Sequence, residues 1–200
     1  MALDIDILAR LAIGLLLLGA VVIGMPHRVR AERAGGPVPR SHDPAWFLRT
    51  MGVVGPLLLL SWVTFVINPR WLGWSAMALP NWLRVAGLPI GLVALAGFKW
   101  MFVHLGSNVT STSMPRAQAT LVTSGPYRWV RHPMYSVVAL LSVAVTLLTT
   151  SWLVGACGVA AFALLVARSR LEERRLVEKF GDAYRHYQRG TGRVVPRLRR

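Results

Sequence analysis

Apolar positions fall in four long, nearly uncharged stretches, and the polar positions gather between them. Leu11 to Pro26 carries no charge, and Ile7 to Met25 reads as a first span, interrupted only by Arg10 near its start. Thr50 to Asn68 is uncharged, and its helix is expected to reach back past Arg49 to Trp46. Val85 to Phe98 is uncharged, with a helix expected from about Asn81 or Trp82 to about Leu105. Arg84 and Lys99 would extend their charged heads toward water along it. A bilayer-spanning helix needs roughly 20 mostly apolar residues, because the hydrocarbon layer is about 30 Å thick. These lengths favour membrane spans over the buried bundle of a soluble protein.

The fourth stretch, Tyr135 to Ala167, holds 33 residues without a charge. That is too long for one span and short for two with a loop. A helical hairpin turning near Thr149-Thr150-Ser151 resolves the mismatch, with arms that start near His132-Pro133 and finish near Arg168. The expected fold is therefore all-α: a polytopic membrane protein with five transmembrane helices, the last two a hairpin, plus a cytoplasmic C-terminal helix. Residues 1–104 form three N-terminal spans with their loops. Residues 105–200 form the half with most of the polar material, within one structural unit.

Charge sets the expected orientation. Arg28, Arg30, Arg33 and Arg40 follow the first span, Arg116, Arg128 and Arg131 precede the hairpin, and eleven Lys/Arg run from Arg168 to the end. Five spans place all of these on one side, which the positive-inside rule makes cytoplasmic. The opposite side receives Arg70 and Arg84, with Asp4, Asp6 and Arg10 near the N-terminus. Trp71, Trp74 and Trp82 suit that outer interface, where indole rings sit well. Asp4 and Asp6 replace the basic segment of a signal peptide, and no A-x-A-like cleavage site follows, so the first helix is expected to stay. Gly35-Gly36-Pro37-Val38-Pro39 reads as the loop between the first two spans.

Composition agrees. Hydrophobic residues make up 54% of the 200-residue chain and charged ones 16%, against about 25% in soluble domains. Mean hydropathy is +0.48. That excludes disorder. One Cys excludes a disulfide framework and a cysteine zinc site, and Cys157 reads as a small packing residue. No metal constellation emerges from five His and eight acids. The net charge of +15 comes with no nucleic-acid recognition module, so membrane headgroups are its expected partners, the terminal RVVPRLRR included. Neither G-x-G-x-x-G nor a P-loop is present.

Two polar segments remain as candidate chemistry. Gly106 to Met134 is rich in Ser, Thr, Gly and Pro and reads mostly as loop. Arg168 to Pro196 carries Leu176, Phe180, Tyr184 and Tyr187 at helical spacing, so an amphipathic helix with a bend at Gly181 is expected to continue the fifth span. The hairpin places Arg131-His132-Pro133-Met134-Tyr135 beside the Arg168 to Glu173 run. Arg168 and Glu172 are four apart, which also fits a plain surface ion pair. Tyr184 and Tyr187 read as packing residues.

GPYRWVRHPMY (Gly125 to Tyr135), then Glu172-Glu173, Phe180-Gly181, Tyr184 and Tyr187, and Arg193 to Pro196 form an ordered set. It resembles the isoprenylcysteine carboxyl methyltransferase and phospholipid methyltransferase superfamily, over Leu105 to Pro196. The resemblance implies an integral membrane enzyme that uses S-adenosylmethionine and a lipophilic small-molecule or lipid acceptor, with no obligate protein partner evident. By position, it implies cofactor contacts from Ala119, Thr120, Leu121 and Val122 through backbone groups, from Tyr127, from His132, Pro133, Met134 and Tyr135, and from Glu172. It places Arg168 at the acceptor. Eukaryotic members often have His at the position of Ala119, and some have a basic residue at that of Gly190. The chemistry matches: a carboxylate pairs with the cofactor's ammonium, imidazole and basic donors hold its carboxylate, and rings flank adenine or the cation. A membrane reductase of the sterol-reductase type using NADPH, or a non-enzymatic membrane protein of the same fold, are the other readings.

Overall fold

The computed structural model describes residues 2–36, 38–39, 42–110 and 112–197, with side chains from Ile5 onward. They form helices α1 (Ala2–Gly35), α2 (Ala45–Ile67), α3 (Asn81–Leu105), α4 (Pro133–Thr149), α5 (Trp152–Phe180) and α6 (Asp182–Gly190). Short 3-10 segments occupy Pro69–Ser75, Gly106–Asn108 and Gly125–Arg128. Pro37 of the expected first loop, Arg40 and the terminal Leu198-Arg199-Arg200 lie outside the described residues, as does the side chain of Asp4.

The all-α, polytopic architecture is the expected one. Helices α1, α2, α3 and α5 are long and apolar enough to cross a bilayer. Helix α4 is apolar but has 17 residues, about 25 Å at 1.5 Å per residue. The outer faces are greasy: Leu15 is 65% and Val159 70% exposed. In water that would be a large exposed apolar patch; in hydrocarbon it is an ordinary exterior.

The helices meet through small residues, which let backbones approach where lipid offers no hydrophobic drive. A Cβ on Gly87 of α3 would lie 2.6 Å from the Ala144 carbonyl oxygen of α4. The main core gathers Ile13 and Leu16 of α1, Trp62 and Phe65 of α2, Val145 and Leu148 of α4 and Val154 of α5. A second cluster, Ala31, Met101, Phe102 and Val109, supports the polar end of the bundle.

The hairpin turns where the charge-free run is too long for one span. Thr150 takes a left-handed conformation (φ 50°), and the Ser151 side chain accepts from the Val154 N–H to cap α5. Ser75 and Ser151 hydroxyls share a 2.7 Å hydrogen bond, and the Met77 N–H donates to the Thr150 carbonyl. At this end Arg84 binds Asp6 at 2.5 Å and donates to the Leu148 carbonyl, while Arg10 donates to the Val66 carbonyl.

The opposite end holds both polar segments. Helix α1 continues through Pro26 to Gly35, past its apolar stretch, and ends where Gly36 takes φ 70°. Arg116 donates to the Gly36 carbonyl and to the Val109 carbonyl, joining the first loop to the third. Helix α5 likewise outruns its apolar stretch, which ends at Ala167, and carries charged residues to Phe180. Gly181 (φ 57°) then separates α6 from it, at the expected bend.

Candidate active site

The described residues between α3 and α4 are mostly irregular apart from two 3-10 turns, yet side chains fix them at several points. Asn108 accepts from the Thr120 N–H at 3.1 Å and donates to the Thr120 hydroxyl, which pins the chain at Thr120. Lys179 of α5 donates to the carbonyls of Arg116 and Ala117, and Arg175 donates to the Ser113 hydroxyl. Gly125 has φ 58°, and a Cβ there would fall 2.3 Å from the His104 ring. Both facts require glycine at the start of the GPY turn. Pro133 opens α4 in the first helical turn, where its missing N–H leaves no bond unmade.

His132 and Tyr135 stand side by side because α4 begins between them; their rings stack at 5.0 Å with an interplanar angle of 5°. The Tyr135 hydroxyl donates to Glu172 at 2.6 Å. His132, 5% exposed, holds Nε2 3.3 Å from Glu173 and Nδ1 3.9 Å from Glu172. The two distant stretches of sequence thus meet at the polar end of the bundle.

Glu173 is a hub. Its carboxylate receives Arg131 at 2.8 Å, His132 at 3.3 Å and Arg193 at 3.1 Å. Burial alone would raise its pKa, but hydrogen bonds from His132 and Arg131, and their charges, outweigh burial and lower it to about 2. Arg131 also donates to the carbonyls of Gln188 and Thr191. The tail completes the frame: the N–H groups of Arg131 and His132 donate to the carbonyls of Gly192 and Arg193, and Ser136 donates to that of Val194. Residues expected at lipid headgroups are docked on the protein here, because buried N–H groups and a buried carboxylate require partners.

A cavity opens between these elements. It is lined by Ala119, Thr120, Leu121, Val122, Tyr127, His132, Pro133, Met134, Tyr135 and Glu172, the full set of expected cofactor contacts. Asn108, Ser113, Leu176, Tyr184 and Tyr187 line it as well. The two tyrosines read from sequence as packing residues, and helical spacing alone could not place them at a cavity. Burial pushes the phenols of Tyr127, Tyr184 and Tyr187 above their ordinary range, with Glu172 adding to the shift at Tyr127. They are neutral donors. The Tyr187 hydroxyl donates to the Tyr127 carbonyl. The Tyr184 hydroxyl is buried without a partner among the described residues.

Arg168 does not line this cavity. Its Nε donates to Asp43 at 3.0 Å and its guanidinium lies over the Phe47 ring at 5.0 Å. The surface pair with Glu172 does not form; Glu172 takes Tyr135 instead. The sequence sets Glu173 beside Glu172 in its motif but does not mark it, or Asp43, as a site residue. Their partners lie far along the chain, and nothing local marks those pairings.

The donor set can be matched to a ligand. Glu172 is half-buried, faces the cavity and is bonded through Oε2. Arg131 and Arg193 are engaged with Glu173, so Glu172 is the carboxylate left for a cation. Leu121 and Val122 make no main-chain hydrogen bond among the described residues. A cation-binding carboxylate, an imidazole, unpaired peptide groups, aromatic walls and an orphaned phenol fit a zwitterionic amino acid joined to a nucleoside.

Comparison with known proteins points the same way. Residues 87–178 match the model of the isoprenylcysteine carboxyl methyltransferase (ICMT) family. A methanethiol S-methyltransferase of Pseudomonas deceptionensis is 30% identical over 82% of this chain and 63% of its own length. A cobalt-zinc-cadmium resistance protein, CzcN, of Cupriavidus metallidurans is 33% identical over 68% of this chain and 61% of its own. The solved structure of a eukaryotic intramembrane Ras methyltransferase, ICMT, superposes with a TM-score of 0.55 at 22% identity, covering 88% of this chain and 60% of that one. The chain therefore spans less than two thirds of each.

Proposed function

We propose that this chain, whose residues 87–178 match the isoprenylcysteine carboxyl methyltransferase family model, is an S-adenosylmethionine-dependent integral membrane methyltransferase with a lipophilic acceptor. The observation that carries the reading is the convergence of all ten expected cofactor contacts on one cavity. Bound S-adenosylmethionine would supply an electrophilic methyl group on a sulfonium. The chain's own residues bind and orient. Glu172 holds the ammonium, His132 supplies a donor for the carboxylate, and the peptide groups of Ala119 to Val122 hold the nucleoside. Tyr127, Tyr184 and Tyr187 wall the cavity and exclude water. Methyl transfer to a carboxylate or thiolate needs no general base, so alignment and a water-poor setting are the main contributions. Arg168, buried one helical turn before Glu172, faces the acceptor.

The topology follows from the same reading. Five spans, with α4 as the short fourth, put the N-terminus outside and the cavity and C-terminus in the cytoplasm. Residues 1–104 anchor the unit and residues 105–200 carry its chemistry. A lipophilic acceptor reaches the methyl group from the membrane with its tail in hydrocarbon.

The test is binding of labelled S-adenosylmethionine, with NADPH as the competing arm, to purified protein. Wild type should bind the former, and His132→Ala and Glu172→Ala should each lose at least about tenfold in affinity, the worth of one charge-assisted hydrogen bond, while remaining folded. Binding of NADPH in its place would favour the reductase reading. Normal binding by both variants would remove these residues from the site.

A further inference from the structure

The Arg168 guanidinium has a partner that the cofactor cavity does not explain. Asp43, on the connection ahead of α2, is buried at 6% exposure, and Arg168 at 5%. Asp43 Oδ1 accepts from Arg168 Nε at 3.0 Å and from the Ser113 N–H at 3.0 Å. Ser113 itself lines the cavity. Phe47, one turn into α2, covers the guanidinium face. Among the described residues the two terminal nitrogens of Arg168 bond to nothing, so the pair has donors to offer but no net charge.

We propose that Asp43 is a positioning and specificity-determining residue of the acceptor site: it fixes Arg168 through Nε and cancels its charge, so that the site favours a neutral acceptor group, a thiol, over a carboxylate. This rests on the reading that Arg168 faces the acceptor. An acceptor carboxylate beside this pair would meet the Asp43 carboxylate within a few ångströms, at low effective dielectric, where like charges repel strongly. A thiol meets no such penalty and still finds the terminal N–H groups of Arg168, which bond to nothing among the described residues. For a thiol, the S–H proton leaves to solvent as the sulfur lone pair takes the methyl group and the donor's carbon–sulfonium bond breaks.

Tail-matched probes separate the two classes. Equilibrium binding of dodecane-1-thiol and dodecanoate to the full-length protein in nanodiscs gives an affinity ratio that needs no turnover. Wild type should favour the thiol. Asp43→Asn keeps the acceptor oxygen for Ser113 and Arg168 but removes the charge, and should shift the ratio toward dodecanoate by about tenfold or more; Asp43→Glu should return it. Arg168→Gln leaves Asp43 alone and should shift the ratio the opposite way, so the proposal stays readable if the unpaired arginine of Asp43→Asn prevents folding. A ratio unmoved in both variants, equal loss of both probes, or no binding of either by wild type would overturn the proposal. Failure of the methyltransferase reading would appear separately, as absent S-adenosylmethionine binding.

Discussion

Two adjacent glutamates on one helix turn do different work because their neighbours differ. Glu172 faces the cavity and accepts one phenol, whereas Glu173 is enclosed by Arg131, His132 and Arg193. The pKa of Glu173 is held at about 2 against an ordinary value of 4.5. A depressed carboxyl stabilises the fold fully above its unfolded pKa and loses that contribution as pH falls through the folded one. Melting in detergent should therefore be insensitive to this group above about pH 5 and weaken from there toward pH 2. Glu173→Gln should cost roughly 3 kcal/mol at neutral pH and flatten that acid limb. Arg168→Ala should lower turnover more than S-adenosylmethionine affinity, because Arg168 lies outside the cofactor cavity. Steady-state kinetics alongside a binding isotherm would reveal equal losses if that placement is wrong.

Helix contacts depend on what is missing from them. Gly87 lets α3 rest on the α4 backbone, and an added Cβ would sit 2.6 Å from a carbonyl oxygen that has no rotamer to escape into. Gly87→Ala should thus destabilise by about 1–3 kcal/mol, read as a lower melting temperature in detergent. Helix α4 is also the element that seats Pro133 and Tyr135, so cofactor affinity should fall with the same substitution. The segment 191–194 is held by hydrogen bonds from Arg131, His132 and Ser136. Trypsin should spare Arg193 in wild type and cut there in Glu173→Gln, since loss of the hub carboxylate frees the tail. Equal protection in both would show that the main-chain bonds alone hold it.

The molecule has two unlike ends. At one, Arg84 with Asp6 and Ser75 with Ser151 close the bundle around the hairpin turn. At the other, Arg175 and Lys179 of α5 lock the segment after α3 in place through the Ser113 hydroxyl and the carbonyls of Arg116 and Ala117. The orientation proposed above, with the basic end in the cytoplasm, means that a C-terminal fluorescent-protein fusion should fluoresce in bacteria while a C-terminal alkaline phosphatase fusion stays inactive. The reverse pattern would invert the proposed orientation.

Much of this was legible in residue order. A run of 33 uncharged residues has few solutions in a bilayer, so the hairpin and its turn at Thr150 follow from length and hydropathy. The GPYRWVRHPMY stretch and the later Glu172 mark the cavity, because a proline-opened helix facing a returning helix brings them together. The continuation of α1 to Gly35 shows less plainly, since Pro26 suggests an end to the helix there. Residue order is blind to Asp43 on Arg168, to Arg193 on Glu173 and to the tyrosines of α6 turned to the cavity. Hydropathy and helical period are local quantities that a chain of this composition displays along its length. The choice of partner for a buried charge is made across a sequence separation of 125 by desolvation, which makes pairing compulsory without writing the partner's identity beside it.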